Sequence, residues 1–269
     1  VQIVEKKKAN MQKIGVFSKL AQKTKNVFKK IKFTRRSSKD STGIEGLDKM
    51  VNGGFEKGSM NLLVGPTGSG KSIIALEFLL EGIKKGEAVL YITFEEKKED
   101  FYANMKKFNW DLEGLEKAGK FIFLEYSPEK VKMMLDEGGG SIESIVLKYN
   151  IKRMVIDSIT SFSLLFDDLL SKRQANLGLF DIIGKWNCTT LLTVQHNPLK
   201  EKSDDLTSLD FEADSVILLY FVRIKNKRTR FIEVIKMRGT NHSKETYSFE
   251  IAKNGIKIGK ISSIRLKGQ

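Results

Sequence analysis

Eight residues, Gly65-Pro66-Thr67-Gly68-Ser69-Gly70-Lys71-Ser72, constrain this chain more than any other feature. They fit Gly-x-x-x-x-Gly-Lys-[Ser/Thr], a loop whose glycines let successive N–H groups turn inward around phosphate oxygens. The flanks agree with that reading. Met60-Asn61-Leu62-Leu63-Val64 reads as a buried parallel strand before the loop, and Ile73 to Leu80 follows it with a helical pattern. A helix opening near Lys71 adds the positive end of its dipole. Lys71 is expected to reach the β- and γ-phosphates of a nucleoside triphosphate, and the Ser72 hydroxyl to ligate Mg²⁺. The bland alternative is a glycine-rich turn that fits by chance.

The chain has 269 residues, 41% hydrophobic and 30% charged, with three prolines. That suits one large α/β domain or two small ones with a fillable core. No apolar stretch approaches the ~20 residues needed to span a bilayer, and no secretory signal pattern is present. A single cysteine, Cys188, leaves no internal disulfide and fits a reducing cytoplasm. It opens an apolar strand and reads as a small core residue. The first residue is not Met, which leaves room for an upstream segment.

The net charge of +14 is unevenly placed. Residues 1–40 hold thirteen Lys or Arg against two acids, a net +11, so the other 229 residues carry only +3 (14 − 11). Within this arm Ile14, Phe17, Ala21, Phe28 and Ile31 recur at roughly helical spacing among lysines. A basic amphipathic helix of this kind can lie on an anionic membrane, dock on a protein partner or coat nucleic-acid phosphates. It can equally be a solvated extension or a lid on its own domain.

From Ser41 onward strands and helices alternate. Strand candidates are 60–64, 88–94, 120–125, 152–157 and 189–194; helix candidates are 71–85, 97–108, 141–149 and 169–186. Runs such as Val89 to Phe94 are apolar without alternation, as strands buried on both faces require. The pattern predicts a doubly wound, mainly parallel sheet. After residue 213, four strand candidates at 215–221, 229–236, 246–251 and 256–258 follow one another across short turns and predict an antiparallel extension. The expected organisation is an arm over 1–40, an ATPase domain over 41–260 and a short tail over 261–269. Gly138-Gly139-Gly140 reads as a loop.

Four further sets of residues can carry chemistry. Asp157 ends an apolar strand and is expected to hold Mg²⁺, unless it only caps the next helix. Glu95 and Glu96 follow another strand. One can face the water that attacks the γ-phosphate while the other braces the site, or both can simply favour the first turn of a helix. Gln195 ends a third strand, where an amide can sense the γ-phosphate or be merely a polar strand end. Lys236 and Arg238 alternate on one strand face, and His242 follows a glycine turn. These three are candidates for phosphate contacts lent by a neighbouring subunit, as an arginine finger is, or an exposed basic hairpin.

Together these residues resemble the KaiC-type branch of the RecA-like ATPases. The resemblance starts at Ser41-Thr42-Gly43-Ile44-Glu45-Gly46-Leu47-Asp48 and runs through the phosphate loop, Tyr91 to Glu96, Asn109 to Leu112 and Val155 to Ser161. It ends with Lys236-Met237-Arg238-Gly239-Thr240-Asn241-His242 and covers about residues 41–260. It implies a RecA-like core and a ring, often hexameric, with ATP between neighbours. It matches Glu95 and Glu96 to the catalytic glutamates, and Lys236, Arg238 and His242 to the trans-acting phosphate contacts. Clock proteins of this branch carry two such domains and this chain one. Gln195 is closer to the RecA-style switch glutamine, and no Ser-Thr pair matches the autophosphorylated one. A single-domain relative of the kind common in archaea describes the chain better than a clock protein.

The leading expectation is a cytoplasmic, slowly hydrolysing regulatory ATPase that switches its assembly or an unknown protein partner. A recombinase-like DNA-binding ATPase is the second. The segment 196–214 argues against its central loops, with six acids against Lys200 and Lys202, net −4 (2 − 6). The third is a non-catalytic ATP-dependent module of an archaeal machine, docked through the arm. The fourth is an autokinase.

Overall fold

The computed structural model describes residues 39–262, apart from 128–129, 131–132, 134–139, 165, 167, 200–208 and 210–211. The amphipathic arm over 1–38, Gly138 and Gly139, the loop acids Glu201, Asp204, Asp205 and Asp210, and the tail over 263–269 lie outside the described residues.

The first ordered step is small. Strand β1 (Lys39–Asp40) pairs antiparallel with β2 (Phe55–Glu56) around helix α1 (Glu45–Met50). None of these was expected from the sequence, because two-residue strands carry no periodicity. Asp48 makes the turn before α1, accepting from the Thr42 N–H (2.7 Å) and hydroxyl (2.9 Å). Leu47 and Met50 then bury the helix's apolar side.

The main body alternates as the apolar runs predict. Strand β3 (Met60–Gly65) leads through the loop into α2 (Lys71–Lys84). Then come β4 (Ala88–Thr93), α3 (Lys98–Lys106), α4 (Leu112–Lys117) and β5 (Phe121–Glu125). Next are α5 (Gly140–Tyr149), β6 (Ile151–Asp157), α6 (Ile159–Ser163), α7 (Leu169–Lys185) and β7 (Thr189–Gln195). Strands β8 (Ser215–Ile224), β9 (Lys227–Met237), β10 (Tyr247–Ala252) and β11 (Gly255–Ile261) follow by short turns. The nine-stranded sheet has the order β11-β10-β9-β8-β3-β7-β6-β4-β5. From β5 to β8 every neighbouring pair is parallel; from β8 to β11 every pair is antiparallel. The doubly wound sheet with an antiparallel extension is therefore present.

Side chains alternate between the two faces of each buried strand. Leu63, Val155 and Leu191 pack with α2, α3 and α4; Leu62, Val64, Met154, Ile156 and Leu192 pack with α5, α6 and α7. Cys188 is buried just before β7, bonds the Ile151 carbonyl at 3.2 Å, and has its thiol pKa pushed up to about 11 by burial.

One polar residue breaks the apolar pattern. Arg153, on β6, is fully buried. Its Nε meets Glu87 at 2.6 Å, and its Nη1 donates to the carbonyls of Ser41 (2.6 Å) and Phe78 (3.0 Å). Asp40 lies 3.8 Å from Nη2 and accepts from Thr189 at 2.6 Å. The guanidinium also lies over the Phe78 ring. A Cβ at position 82 would sit 2.7 Å from Arg153 Cδ, so Gly82 makes room for this clamp. It ties β6, α2 and the entry strand β1 together.

Candidate functional site

The loop between β3 and α2 is bent at Gly68 (φ 75°) and Gly70 (φ 103°), a left-handed geometry that glycine adopts without strain. Gly65 is required for another reason: a Cβ there would lie 2.7 Å from Ser69 Oγ and 2.8 Å from Leu219 Cβ. The opening N–H groups of α2 have no intrahelical acceptors. Ser69 Oγ is buried without a partner. Lys71 Nζ folds back onto the carbonyls of Gly65 (2.9 Å) and Pro66 (3.1 Å). Burial lowers the pKa of this ammonium, and the charges of Asp157 and Glu95 partly oppose that shift. A cradle of N–H groups, an orphaned hydroxyl and a desolvated cation form a donor set that fits a polyphosphate.

The parallel register places the acids beside this loop. Gly65 pairs with Gln195, and Thr93 with Asp157, so the carboxyl ends of β3, β7, β6 and β4 lie along one edge. Asp157 Oδ2 accepts from Ser72 Oγ (2.7 Å) and Tyr91 (2.6 Å), while its Oδ1 accepts from Thr193. Burial and the neighbouring Asp157 push the Tyr91 phenol well above its ordinary pKa, so it remains a donor. Ser72 and Asp157, the predicted metal ligands, are thus brought together; an oxygen-only pair completed by phosphate oxygens suits Mg²⁺. Among the described residues no cluster of three His, Cys, Asp or Glu could hold a metal on its own.

The two glutamates diverge. Both backbone N–H groups bond Thr93 Oγ1, at 3.2 and 3.3 Å, which fixes the turn after β4. Glu95 then accepts from Ser158 (2.5 Å) and from Ser161, on the phosphate-loop side. Glu96 accepts instead from Asn104 of α3 at 3.0 Å. Gln195 is exposed at the end of β7, its N–H bonded to Thr160 Oγ1 at 2.7 Å.

The basic cluster lies elsewhere. Lys236 pairs with Val216, and the Arg238 N–H bonds the Asp214 carbonyl at 2.8 Å. The Asp214 N–H in turn bonds the Met60 carbonyl at 2.8 Å. Arg238 is therefore level with the start of β3, while the phosphate loop opens at its end, roughly 17 Å away along the strand. A bulge beside Val216 inserts the exposed Ile235 into β9. Arg238 also meets Asp214 at 3.4 Å. His242 is nearly buried; its Nδ1 meets the Ser243 carbonyl (2.8 Å) and its Nε2 the Lys244 ammonium (3.1 Å). Since Lys244 can only donate, Nδ1 carries the proton.

Several contributors were missed. Tyr91 and Thr193 sit inside apolar strands, and their polar atoms in a buried run were the available signal. Ser158 follows Asp157 directly, and Ser161 lies in the first turns of the short helix after it. Arg230, from mid-β9, donates to the Gly68 carbonyl through Nε (3.1 Å) and Nη2 (3.0 Å) and stacks on Phe221 at 4.3 Å. Nothing local distinguishes it from the other cations of that hairpin.

Comparison with known proteins gives the family. The family model described as "ATPase: KaiC" matches residues 41–263. The chain is 34% identical over 237 residues to circadian clock protein KaiC3 of Synechocystis sp., an overlap of 84% of this chain and 46% of that one. It is 32% identical to the circadian clock oscillator protein KaiC of Parathermosynechococcus lividus, over 85% of this chain and 43% of the relative. It therefore spans less than half the length of these curated relatives. The solved structure of a KaiC-like protein from the hyperthermophilic archaeon Pyrococcus horikoshii superposes with a TM-score of 0.74 at 33% identity, covering 83% of this chain and all of that one. With its phosphate loop, its strand-end acids and its RecA-like sheet, this chain belongs to the KaiC family of ATPases.

Proposed function

We propose that the chain is a regulatory ATPase that binds Mg-ATP between neighbouring copies of itself in a ring, probed by hexamer formation, and hydrolyses it slowly. The loop N–H groups and Lys71 would hold the triphosphate. Ser72 and Asp157 would hold Mg²⁺, which when bound neutralises charge on the phosphate oxygens. Glu95, oriented by Ser158 and Ser161, would take the proton of the attacking water. Glu96, held by Asn104, would brace the turn, and Gln195 would report the γ-phosphate to the segment after β7. Phe221 and Ile251, which border Gly68 and Gly70, offer an apolar wall for the base.

One observation carries the shared-site reading: Arg238 is level with Met60 and Lys236 with Leu62, roughly 17 and 10 Å along β3 from their own phosphate loop and two strands to the side. No side chain spans either length, so these cations can stabilise transferring phosphate only in another copy. In this reading His242 shapes the turn that presents them and reaches the neighbour's phosphate only by leaving its contacts with Ser243 and Lys244.

Mixing two inactive variants tests it. Lys71→Ala removes the phosphate clamp and Arg238→Ala the lent cation, and each alone should lose nearly all phosphate release. Mixed one to one before assembly, they should recover roughly a quarter of wild-type activity, the share of interfaces with both intact halves. No recovery from subunits that co-assemble would refute the shared site. Mass measurement with ADP and with a non-hydrolysable ATP analogue, on the same samples, reports ring formation.

A further inference from the structure

Strands β8 and β9 run past the sheet that holds them. β3 pairs only with Ser215–Leu218 of β8, and β10 only with Arg230–Ile232 of β9. Beyond those positions the two strands pair only with each other, up to Ile224↔Lys227 across the Lys225-Asn226 turn. The projecting ribbon reads Arg223-Ile224-Lys225-Asn226-Lys227-Arg228-Thr229-Arg230: five cations and no acid. Arg223, Lys225, Lys227 and Arg228 are exposed. Among the described residues none of the five makes an ion pair.

The register sorts them. Arg223 faces Arg228 directly, and Phe221 faces Arg230. Directly opposed residues share a face, as do residues two apart on one strand. Arg223, Arg228, Arg230 and Phe221 therefore form one row, with Arg228 and Arg230 both lying over the Phe221 ring. Two like charges set opposite each other without a counter-charge favour an external anion. The tip has a single aliphatic side chain, Ile224, and so lacks the apolar anchors that a protein interface or a membrane surface would use. Recognition here rests on charge repeated at intervals of roughly 6.6 Å along each strand.

We infer that the β8–β9 ribbon binds the phosphate backbone of a single-stranded nucleic acid laid along its arginine row. The negative charge of segment 196–214 disfavours binding through the loop that follows β7; Leu199 of that segment packs with Tyr220, Phe231, Val222 and Ile224, on the face of the ribbon opposite the arginine row. Arg230 gives the ribbon a physical link to the phosphate loop through the Gly68 carbonyl.

The test uses the full chain, so that residues 1–38 contribute equally throughout. Fluorescence anisotropy with a labelled thirty-nucleotide oligo(dT), without ATP, is followed from low to moderate salt. The comparison is with a variant carrying Arg223→Ser, Lys225→Ser, Lys227→Ser and Arg228→Ser. The wild type should bind, and the variant should bind at least about tenfold more weakly. The slope of log K against log salt should fall by about three, the loss of four single-strand phosphate contacts. Arg223→Lys with Arg228→Lys should retain the slope. An unchanged circular dichroism spectrum and thermal unfolding midpoint show that the serine variant is folded. Equal affinity and slope in wild type and serine variant would overturn the inference, as would a wild type that binds only duplex or nothing. Because no nucleotide is present, neither result depends on the ATPase reading.

Discussion

In the parallel half of the sheet every candidate catalytic group sits at the same end of its strand; in the antiparallel half the basic groups are divided between two ends. The cause is geometric. Parallel strands linked by crossover helices deliver all their carboxyl ends to one edge, so Ser72, Glu95, Asp157 and Gln195 converge without long loops. Hairpins reverse direction at each turn. Arg230 of β9 therefore lies at its own phosphate loop, while Lys236 of the same strand and Arg238, just past its last residue, lie away from it. The parallel half gathers its candidate groups at one edge, and the antiparallel half divides its cations between two.

Four substitutions would break or sharpen this contrast. The largest effect is expected at the clamp beneath the parallel half. Arg153→Met would strand Glu87 and Asp40 beside unpaired carbonyls and should lower stability by about 3–5 kcal/mol, read from the denaturant midpoint. A loss below about 1 kcal/mol would mean that the buried ions do not secure β1 to the sheet.

Next is the glutamate pair. Glu95→Gln should lower phosphate release about 100-fold with ATP affinity retained, whereas Glu96→Gln, which keeps a partner for Asn104, should cost less than about tenfold. Equal losses would contradict the division of labour drawn from Ser158 and Ser161.

The smallest effect lies where the two halves meet. Glu77 of α2 accepts from the Ile256 N–H at 2.5 Å, holding the β10–β11 turn against the phosphate-loop helix. A Cβ at Gly255 would fall 1.9 Å from its carboxylate, which is why glycine stands there. Burial raises the Glu77 pKa to about 7, against the Ile256 bond and Lys84, which lower it. The folded state thus binds a proton that the unfolded chain has released. Stability from this group falls as pH rises from about 4.5 to about 7, and the cost is complete above that range. Glu77→Gln should be more stable than wild type at pH 8 by on the order of 1 kcal/mol, after allowance for partial solvation, with the difference vanishing near pH 4.5. Thermal unfolding across that range would show a flatter profile for the variant, and parallel profiles would contradict the assignment.

Much of this was legible in one dimension. The loop over Gly65–Ser72, the unbroken apolar strands and the change to consecutive strands after residue 213 are local patterns, set by glycine's backbone freedom and by burial of both sheet faces. Asp157 and the glutamate pair could be nominated because a strand end is itself a local feature. What the linear chain could not assign were relations between distant residues. That Tyr91 and Thr193 brace Asp157, that Glu95 and Glu96 part company, that Arg153 is a buried clamp, and that Arg230 lies at the phosphate loop and Arg238 away from it all depend on strand order and register. Those are decided by how the whole sheet packs between two layers of helices, since an isolated strand carries no information about its neighbours.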